Sequence, residues 1–356
     1  MKKLNLAIIG QGRSGKDIHG TYYVSNDNQY YRVKYVVDAD EFRRSVAERM
    51  YAGCKTFSDY RELLSLTDID LVVNSTYSEM HYPITRDLLL HGKNVLVEKP
   101  FARSRYECDE LIRIAKEQGV TLAVFQQTFF APFYQFAYEV MKSGRLGDVK
   151  QISIRYNNFA RRWDWQTLQR KCAGGVYNTG PHPIGMALGF LDFDRDAKVV
   201  YSKLDTALTS GDSDDYAKIL IAAPQKPLVD IEISSTDAYA SYNLKIQGSK
   251  GTFKATPSSY EMTYIVDGEN PERPVTDVFI QDENGNPIYC SENLVKHVES
   301  GSFNGTAFDV GTAMLYKQIY DQITEGKEMT VTPEMAAAII SVAETVHAEN
   351  PLPLKY

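Results

Sequence analysis

Cysteine and histidine are scarce in this chain. The four cysteines, Cys54, Cys108, Cys172 and Cys290, lie far apart. No pair has the close spacing of a zinc or redox motif, so a reduced, cytoplasmic setting is expected. Six histidines leave little from which to build a His-rich metal site, and no metal is expected. A strong charge of one sign is lacking too. Lys and Arg number 39 against 46 Asp and Glu, a net charge of −7. That balance offers no footprint for nucleic acid or an anionic membrane. No apolar run approaches the length of a membrane-spanning helix. The stretch 4–9, after Lys2 and Lys3, is too short for a signal-peptide core and reads as a strand. Internal repeats and low-complexity tracts are absent. With 43% hydrophobic and 24% charged residues, the chain has the composition of a folded protein. At roughly 150 residues per domain, its 356 residues predict about two domains.

The first third alternates between two patterns. Short β-rich runs occur at 4–9, 33–37, 71–74, 94–97 and 121–125, with helical patterns at 15–24, 41–51, 60–64, 83–91 and 104–118 between them. Such alternation predicts a doubly wound parallel sheet covered on both faces. Beyond residue 125 the pattern changes. A helix is expected at 132–143, closed by Gly144. Alternating segments follow at 152–156, 217–222, 228–234 and 244–247. They suit an open, mainly antiparallel or mixed sheet with one solvated or interface face. A last helix is expected at about 333–348, with Pro333 at its first position after Thr332. The expected division is therefore 1–125, a dinucleotide-binding domain, and 126–356, an α/β domain whose last helix packs back on the first.

The sequence Leu4-Asn-Leu-Ala-Ile-Ile-Gly10-Gln11-Gly12-Arg13-Ser14-Gly15 fits G-x-G-x-x-G between a strand and a helix. In that context Gly10 permits the tight turn, Gly12 lets backbone approach a pyrophosphate, and Gly15 lets the helix pack on the strand. Gln11, Arg13 and Ser14 are carried along as cofactor contacts. Asp38 ends the second strand at about the spacing of 20 residues expected for the ribose-binding acid. A carboxylate there accepts from ribose hydroxyls and repels a 2′-phosphate, which favours NAD. Arg43 and Arg44 lie close enough in sequence to keep NADP open.

A second motif, Glu98-Lys99-Pro100, ends another strand, and strand C-termini are where such sheets bind ligands. Together with the glycine turn it resembles the Gfo/Idh/MocA oxidoreductase family. Further segments extend the resemblance in order along the chain. Val72-Val-Asn-Ser-Thr76-Tyr77-Ser-Glu-Met-His81 resembles the family's A-T-P-N-x-x-H. Gly174-Gly175-Val-Tyr177-Asn178-Thr-Gly180-Pro-His182 resembles its G-G-G-x-x-x-D-x-G-x-H. Leu244-Lys-Ile-Gln-Gly248-Ser-Lys-Gly251 resembles a hairpin of its second domain, and Ser14-Gly15 followed by His19 occurs in one branch. The resemblance implies a Rossmann domain, a second sheet that often forms the oligomer interface, and a cis Lys99–Pro100 bond. It implies that Thr76, Tyr77, His81, Glu98, Lys99 and Gln127 line the cofactor. Three departures stand out. Asn178 replaces the family's usual aspartate, Tyr77-Ser78 replaces Pro-Asn, and Gln126-Gln127-Thr128-Phe129-Phe130 replaces an Arg-rich segment.

The chemistry expected is hydride transfer between a nicotinamide and a secondary hydroxyl of a sugar, inositol or related polyol, catalysed by an NAD(P)-dependent dehydrogenase. His182 is the expected base, because an unperturbed imidazole titrates near neutrality. Lys99 is expected to polarise the oxygen, and Asn178 to fix the substrate or His182. Tyr156, Arg161 and Trp165 join these three as expected substrate contacts. Both tryptophans lie in Arg161-Arg162-Trp163-Asp164-Trp165, and flat aromatic faces with forked donors suit sugars. A homo-oligomer, dimer or tetramer, is expected through the second sheet. Two rival classes are an NAD-using glycosidase of the same superfamily and a non-catalytic dinucleotide-binding sensor.

Overall fold

A computed structural model describes residues 2–356. Six strands form the first sheet: β1 (Leu4–Ile9), β2 (Tyr31–Val37), β3 (Lys55–Phe57), β4 (Leu71–Asn74), β5 (Val95–Val97) and β6 (Leu122–Val124). Every pair is parallel, in the order β3-β2-β1-β4-β5-β6. This is the Rossmann order, with its switch point between β1 and β4. The central strands are apolar on both faces because both faces are covered. Leu6 and Ile8 join one core cluster, while Ala7 and Ile9 join another.

Local sequence sets the helices. A wide, π-type turn over Arg13–Gly20 runs into α1 (Thr21–Val24). Asp40 caps α2 (Glu41–Met50) by accepting from the amides of Phe42 and Arg43. Next comes α3 (His81–Leu90). Ser104 caps α4 (Arg105–Gln118), and Gly119 ends it at φ 65°. These devices satisfy backbone groups that a bare helix end leaves open.

After α5 (Pro132–Lys142), strand β7 (Val149–Asn157) and α6 (Pro181–Phe190) begin the second part. Strands β8 (Lys198–Asp205), β9 (Tyr216–Ala222), β10 (Leu228–Ser234), β11 (Leu244–Gly248), β12 (Gly251–Ala255), β13 (Ser259–Tyr264) and β14 (His297–Ser302) complete an eight-stranded sheet. Its order is β14-β13-β12-β11-β7-β10-β9-β8. Only β7 and β10 pair in parallel, so the sheet is mixed. Ile152, Ile154, Ile219, Ile231 and Ile246 point into the core. The other face is polar. There Arg155 pairs with Asp230 at 2.6 Å, and Lys218 bridges Asp230 and Glu232.

Two helices close the chain, α7 (Thr312–Glu325) and α8 (Pro333–Glu349). Thr332 caps α8, and Pro333 occupies its first turn. Ala336, Ala337 and Ile340 of α8 share a cluster with Leu111 and Ala115 of α4. Ile339, Ala343 and Val346, on the same helix, belong to the other cluster. Helix α8 thus ties both cores together. Ile340→Ala should cost about 2–5 kcal/mol in denaturant unfolding, the usual range for a fully buried large-to-small change. Exposed Glu334→Ala should stay within about 0.5 kcal/mol of the parent.

Candidate active site

The glycine turn is built by steric exclusion. Gly10 has φ 90°, and a Cβ there would sit 2.6 Å from the Ser75 carbonyl oxygen. A Cβ on Gly15 would collide with the Gly10 carbonyl. The first turn of the following helix therefore lies against the end of β1. Gly12 differs. A side chain there would meet only the Arg43 guanidinium, at 3.8 Å. Gly10, Gly12, Arg13 and Ser14 line a groove of about 1080 Å³ that runs between the two parts of the molecule. Gln11 does not line it. Its side chain is buried and turned toward Met50 Sδ at 3.9 Å. The Gln11 side chain packs away from the groove where a cofactor contact was expected, and Gly15 acts through close packing.

Asp38 lines the same groove. Its Oδ2 accepts from the Gln11 amide at 2.8 Å and its Oδ1 from the Asp40 amide at 2.9 Å. The carboxylate is therefore partly committed to shaping the turn, where the sequence reading had it free for ribose. The two nearby arginines separate. Arg44 turns onto the Asp38 and Ala39 carbonyls, whereas Arg43 lies 3.6 Å from Asp38 Oδ2 and lines the groove.

At the other end of the groove, β5 delivers Glu98 and Lys99, and the Lys99–Pro100 bond is cis. Thr76 and Tyr77 contribute from the end of β4. The Thr76 hydroxyl donates to Asn74 Oδ1 at 2.7 Å. His81 was expected at the cofactor but lies behind the wall. The residue is 1% exposed, and its ring sits between the Pro100 and Thr76 carbonyls at 2.7 and 3.3 Å. Burial holds its pKa below the ordinary value, so its single N–H serves one carbonyl at neutral pH.

Lys99 Nζ donates to the backbone carbonyl of Asn178 at 2.9 Å. The Asn178 side chain is held elsewhere, its Oδ1 accepting from Gln166 Nε2 at 3.1 Å. Of the two expected roles of Asn178, fixing the substrate or His182, the second has no contact behind it, because His182 has another partner. His182 Nδ1 bonds the Thr128 hydroxyl at 2.7 Å, and the Tyr156 ring stacks on it at 6.4 Å. Burial, with the Lys99 charge, drives the His182 pKa down to about 3. The expected near-neutral titration is overturned, because the imidazole is desolvated beside a cation. Burial also lowers the Lys99 pKa, and the Glu98 carboxylate pulls it partly back.

Trp165 and Tyr77 meet edge to face at 4.9 Å and form one wall. Arg162, not the expected Arg161, faces the groove, and it pairs with Asp164 at 2.6 Å. Trp163 points outward, 79% exposed. Gln127 is buried and lines the groove, and its Oε1 has no protein partner. Beside the groove lies a smaller pocket of about 290 Å³, lined by Tyr156, Asn157, Arg162, Gln166, Asn178 and Asn243 among others. The Asn157 Oδ1 atom there is likewise buried and unpartnered.

Known proteins share the family and the fold. Residues 4–126 match a family model described as an oxidoreductase family with an NAD-binding Rossmann fold, and residues 134–254 match the GFO/IDH/MocA C-terminal domain. The chain belongs to the Gfo/Idh/MocA oxidoreductase family. Its Rossmann domain is an NAD-binding one. Among its relatives is the scyllo-inositol 2-dehydrogenase (NADP+) of Bacillus subtilis, 22% identical over 96% of this chain and 92% of the relative. Another is the 2,7-anhydro-N-acetylneuraminate hydratase of Mediterraneibacter gnavus, 24% identical over 81% of this chain and 77% of the relative. An NAD-binding protein from Listeria innocua shares the fold, with TM-score 0.80 and 21% identity over 98% of each chain.

The groove of this family member fits a dinucleotide on its own geometry. Gly12 leaves open space where a side chain would stand, at a strand-to-helix turn suited to phosphate. Among the described residues no group of three or more His, Cys, Asp or Glu is placed to hold a metal, and no helix is long and apolar enough to cross a membrane. Thr128, Gln166, Arg162 and Arg43 are site residues that sequence reasoning missed or left unresolved. Thr128 sits inside the segment that departs from the family pattern, which was its one signal.

Two outcomes follow from this geometry. Gly15→Val should abolish dinucleotide binding in calorimetry, because the branched side chain cannot clear the Gly10 carbonyl. The ring carbons of His182, followed by NMR, should not titrate between about pH 5 and 8. The ring is neutral down to about pH 3 in the fold against an ordinary 6.5. The stability tied to its neutral form is therefore complete above pH 6.5 and should fall as pH drops toward 3.

Proposed function

We propose that this protein transfers hydride between a nicotinamide dinucleotide and a carbon bearing a secondary hydroxyl on a sugar, inositol or related polyol. The observation that carries the reading is one groove holding the Gly12 turn at one end and Lys99 beside His182 at the other. When bound, a nicotinamide accepts or donates the hydride. Lys99 has three N–H donors, and Asn178 takes one. The remaining two can hold the substrate oxygen. In the oxidative direction the C–H electron pair leaves as hydride and the O–H proton passes to His182 Nε2. The C–O bond then becomes C=O. For Nε2 to accept, the neutral ring carries its proton on Nδ1, and the Thr128 hydroxyl accepts that N–H before and after the transfer. A neutral imidazole is ready to accept. Its depressed pKa makes it a weak base until substrate changes the charge around it.

The pocket next to His182 supports a neutral, polyhydroxylated ligand. Arg162 is already paired with Asp164. Asp215 receives the amides of Ala207, Leu208 and Thr209, and Asp214 receives that of Val176. Amides and hydroxyls remain to recognise the ligand. The inositol substrate in the name of the Bacillus relative is of this class. The hydratase among the relatives favours a second reading, transient oxidation with no net cofactor reduction, as in an NAD-using glycosidase. Asp38 supports NAD, and Arg43 offers a partner to a 2′-phosphate. We further propose a homo-oligomer through the polar outer face of the second sheet, with the domain join near residue 125.

The test is absorbance of the reduced nicotinamide with NAD or NADP and a polyol and sugar panel. Turnover is expected, with Lys99→Ala and His182→Ala each lowering kcat/KM by about 10²–10⁴-fold. Tight dinucleotide binding without turnover on the whole panel would sink the reading in favour of a sensor. Release of an aglycone, or addition of water to a panel compound, without net reduction would support the second. Arg43→Ala should weaken NADP about tenfold more than NAD, a difference of about 1.4 kcal/mol.

A further inference from the structure

A chain of buried polar groups leads from the Lys99 end of the groove into the core. The Lys99 amide donates to Glu98 Oε2 at 3.0 Å. Glu98 Oε1 meets His19 Nε2 at 3.1 Å. His19 Nδ1 meets the Tyr316 hydroxyl at 2.8 Å, and Tyr23 donates its hydroxyl to that of Tyr316. Glu98 is 3% exposed, His19 0%, Tyr316 0% and Tyr23 7%. One assignment of protons satisfies every link. Tyr23 donates to Tyr316, Tyr316 to Nδ1, and Nε2–H to Glu98. All the donors then point one way, and they end on an ionised carboxylate.

We propose that Tyr23, Tyr316 and His19 are positioning residues that hold Glu98 as a fixed negative charge next to Lys99, in the groove that both line. Position 178 is an amide and supplies none. Arg13 and Arg162 act on Lys99 with the same sign as its own charge, and His182 carries no charge at neutral pH. Glu98 is the opposing charge that acts on Lys99. Burial pushes the Glu98 pKa up. The His19 bond, aided by the Lys99 charge, outweighs burial and keeps the carboxyl below its ordinary range. Tyr316 belongs to α7, so a helix near the end of the chain bears on the electrostatics of a lysine just beyond β5.

This deepens the proposed reaction at Lys99, and the test reads Lys99 itself. The protein is labelled with ¹³C at lysine Cε, and the Lys99 signal is assigned by its loss in Lys99→Ala. In Glu98→Gln the Lys99 midpoint should fall by about one pH unit or more, the size of effect that a close opposite charge exerts. His19→Leu should lower it in the same direction. His19→Gln can donate to Glu98 and accept from Tyr316, so it should keep the parent midpoint. An unchanged midpoint in Glu98→Gln, or in a folded His19→Leu, would overturn the proposal. So would a His19→Gln that titrates like His19→Leu. Because no turnover is read, loss of the dehydrogenase reading leaves this result standing, and the reverse also holds.

Discussion

A close backbone contact at the glycine turn is the one on which the rest of the site depends. Gly10, Gly15 and Ser75 meet where β1 and β4 end. The Ser75 hydroxyl reaches the carbonyls of Ile9 and Gly10 at 3.0 and 2.8 Å, and its amide donates to Ile9. No Cβ fits on either glycine. The steric floor fixes where the helix following β1 begins. It therefore fixes where Gly12 faces the groove and where Asp38 receives the Gln11 amide. His19 sits further along the same turn, so the contact also sets the reach from His19 to Glu98.

Desolvation governs the other end of the groove. A lysine, a histidine and a carboxylate are packed within hydrogen-bonding range of few partners. Burial works against the charged form of each. The three respond differently because their partners differ. Glu98 has donors and stays ionised. His182 has a hydroxyl and a neighbouring cation, so it stays neutral. Lys99 has one carbonyl and one opposing carboxylate, and its pKa falls. One environment thus yields an anion, a neutral acceptor and a weakened cation, a division of charge suited to moving a proton.

Much of this was legible in the sequence, and the failures have physical causes. Strands β1, β4 and β5 were plain because buried parallel strands are apolar throughout. Helix α8 announced itself through Thr332 and Pro333. Strands β3 and β8 were invisible. The first is three residues long, and the second is largely exposed and lacks apolar alternation. Strands β12 to β14 are short or polar, and α7 carries no strong start signal. At the site, motif spacing found Lys99, Asn178 and His182 together. It could not show that Lys99 bonds the Asn178 backbone, nor that Arg162 and not Arg161 turns inward. Side-chain direction in a loop depends on tertiary packing. The His182 pKa was misjudged for the same reason, since burial is not written in composition.

The glycine-rich segment before α6 shows why the amide at position 178 need not displace Lys99. Its carbonyl, not its side chain, receives the lysine. The turn that presents this carbonyl is held from behind by Asp214, which receives the amides of Gly175 and Val176 on its carbonyl and Oδ2. A Cβ on Gly174 would strike Asp214, so the backbone there lies directly on it. His347 of α8 approaches Asp214 Oδ1 at 3.4 Å and stacks on Tyr177. Burial lowers the His347 pKa, but the Asp214 bond and charge outweigh it and leave it raised. The geometry at Lys99 is thus set by backbone, and the backbone is set by a carboxylate outside the motif. Geometry and charge are supplied separately. A side chain at 178 can change from acid to amide and leave the lysine where it is, because the lysine is held by the backbone. The neighbouring Glu98 still supplies a negative charge that acts on it.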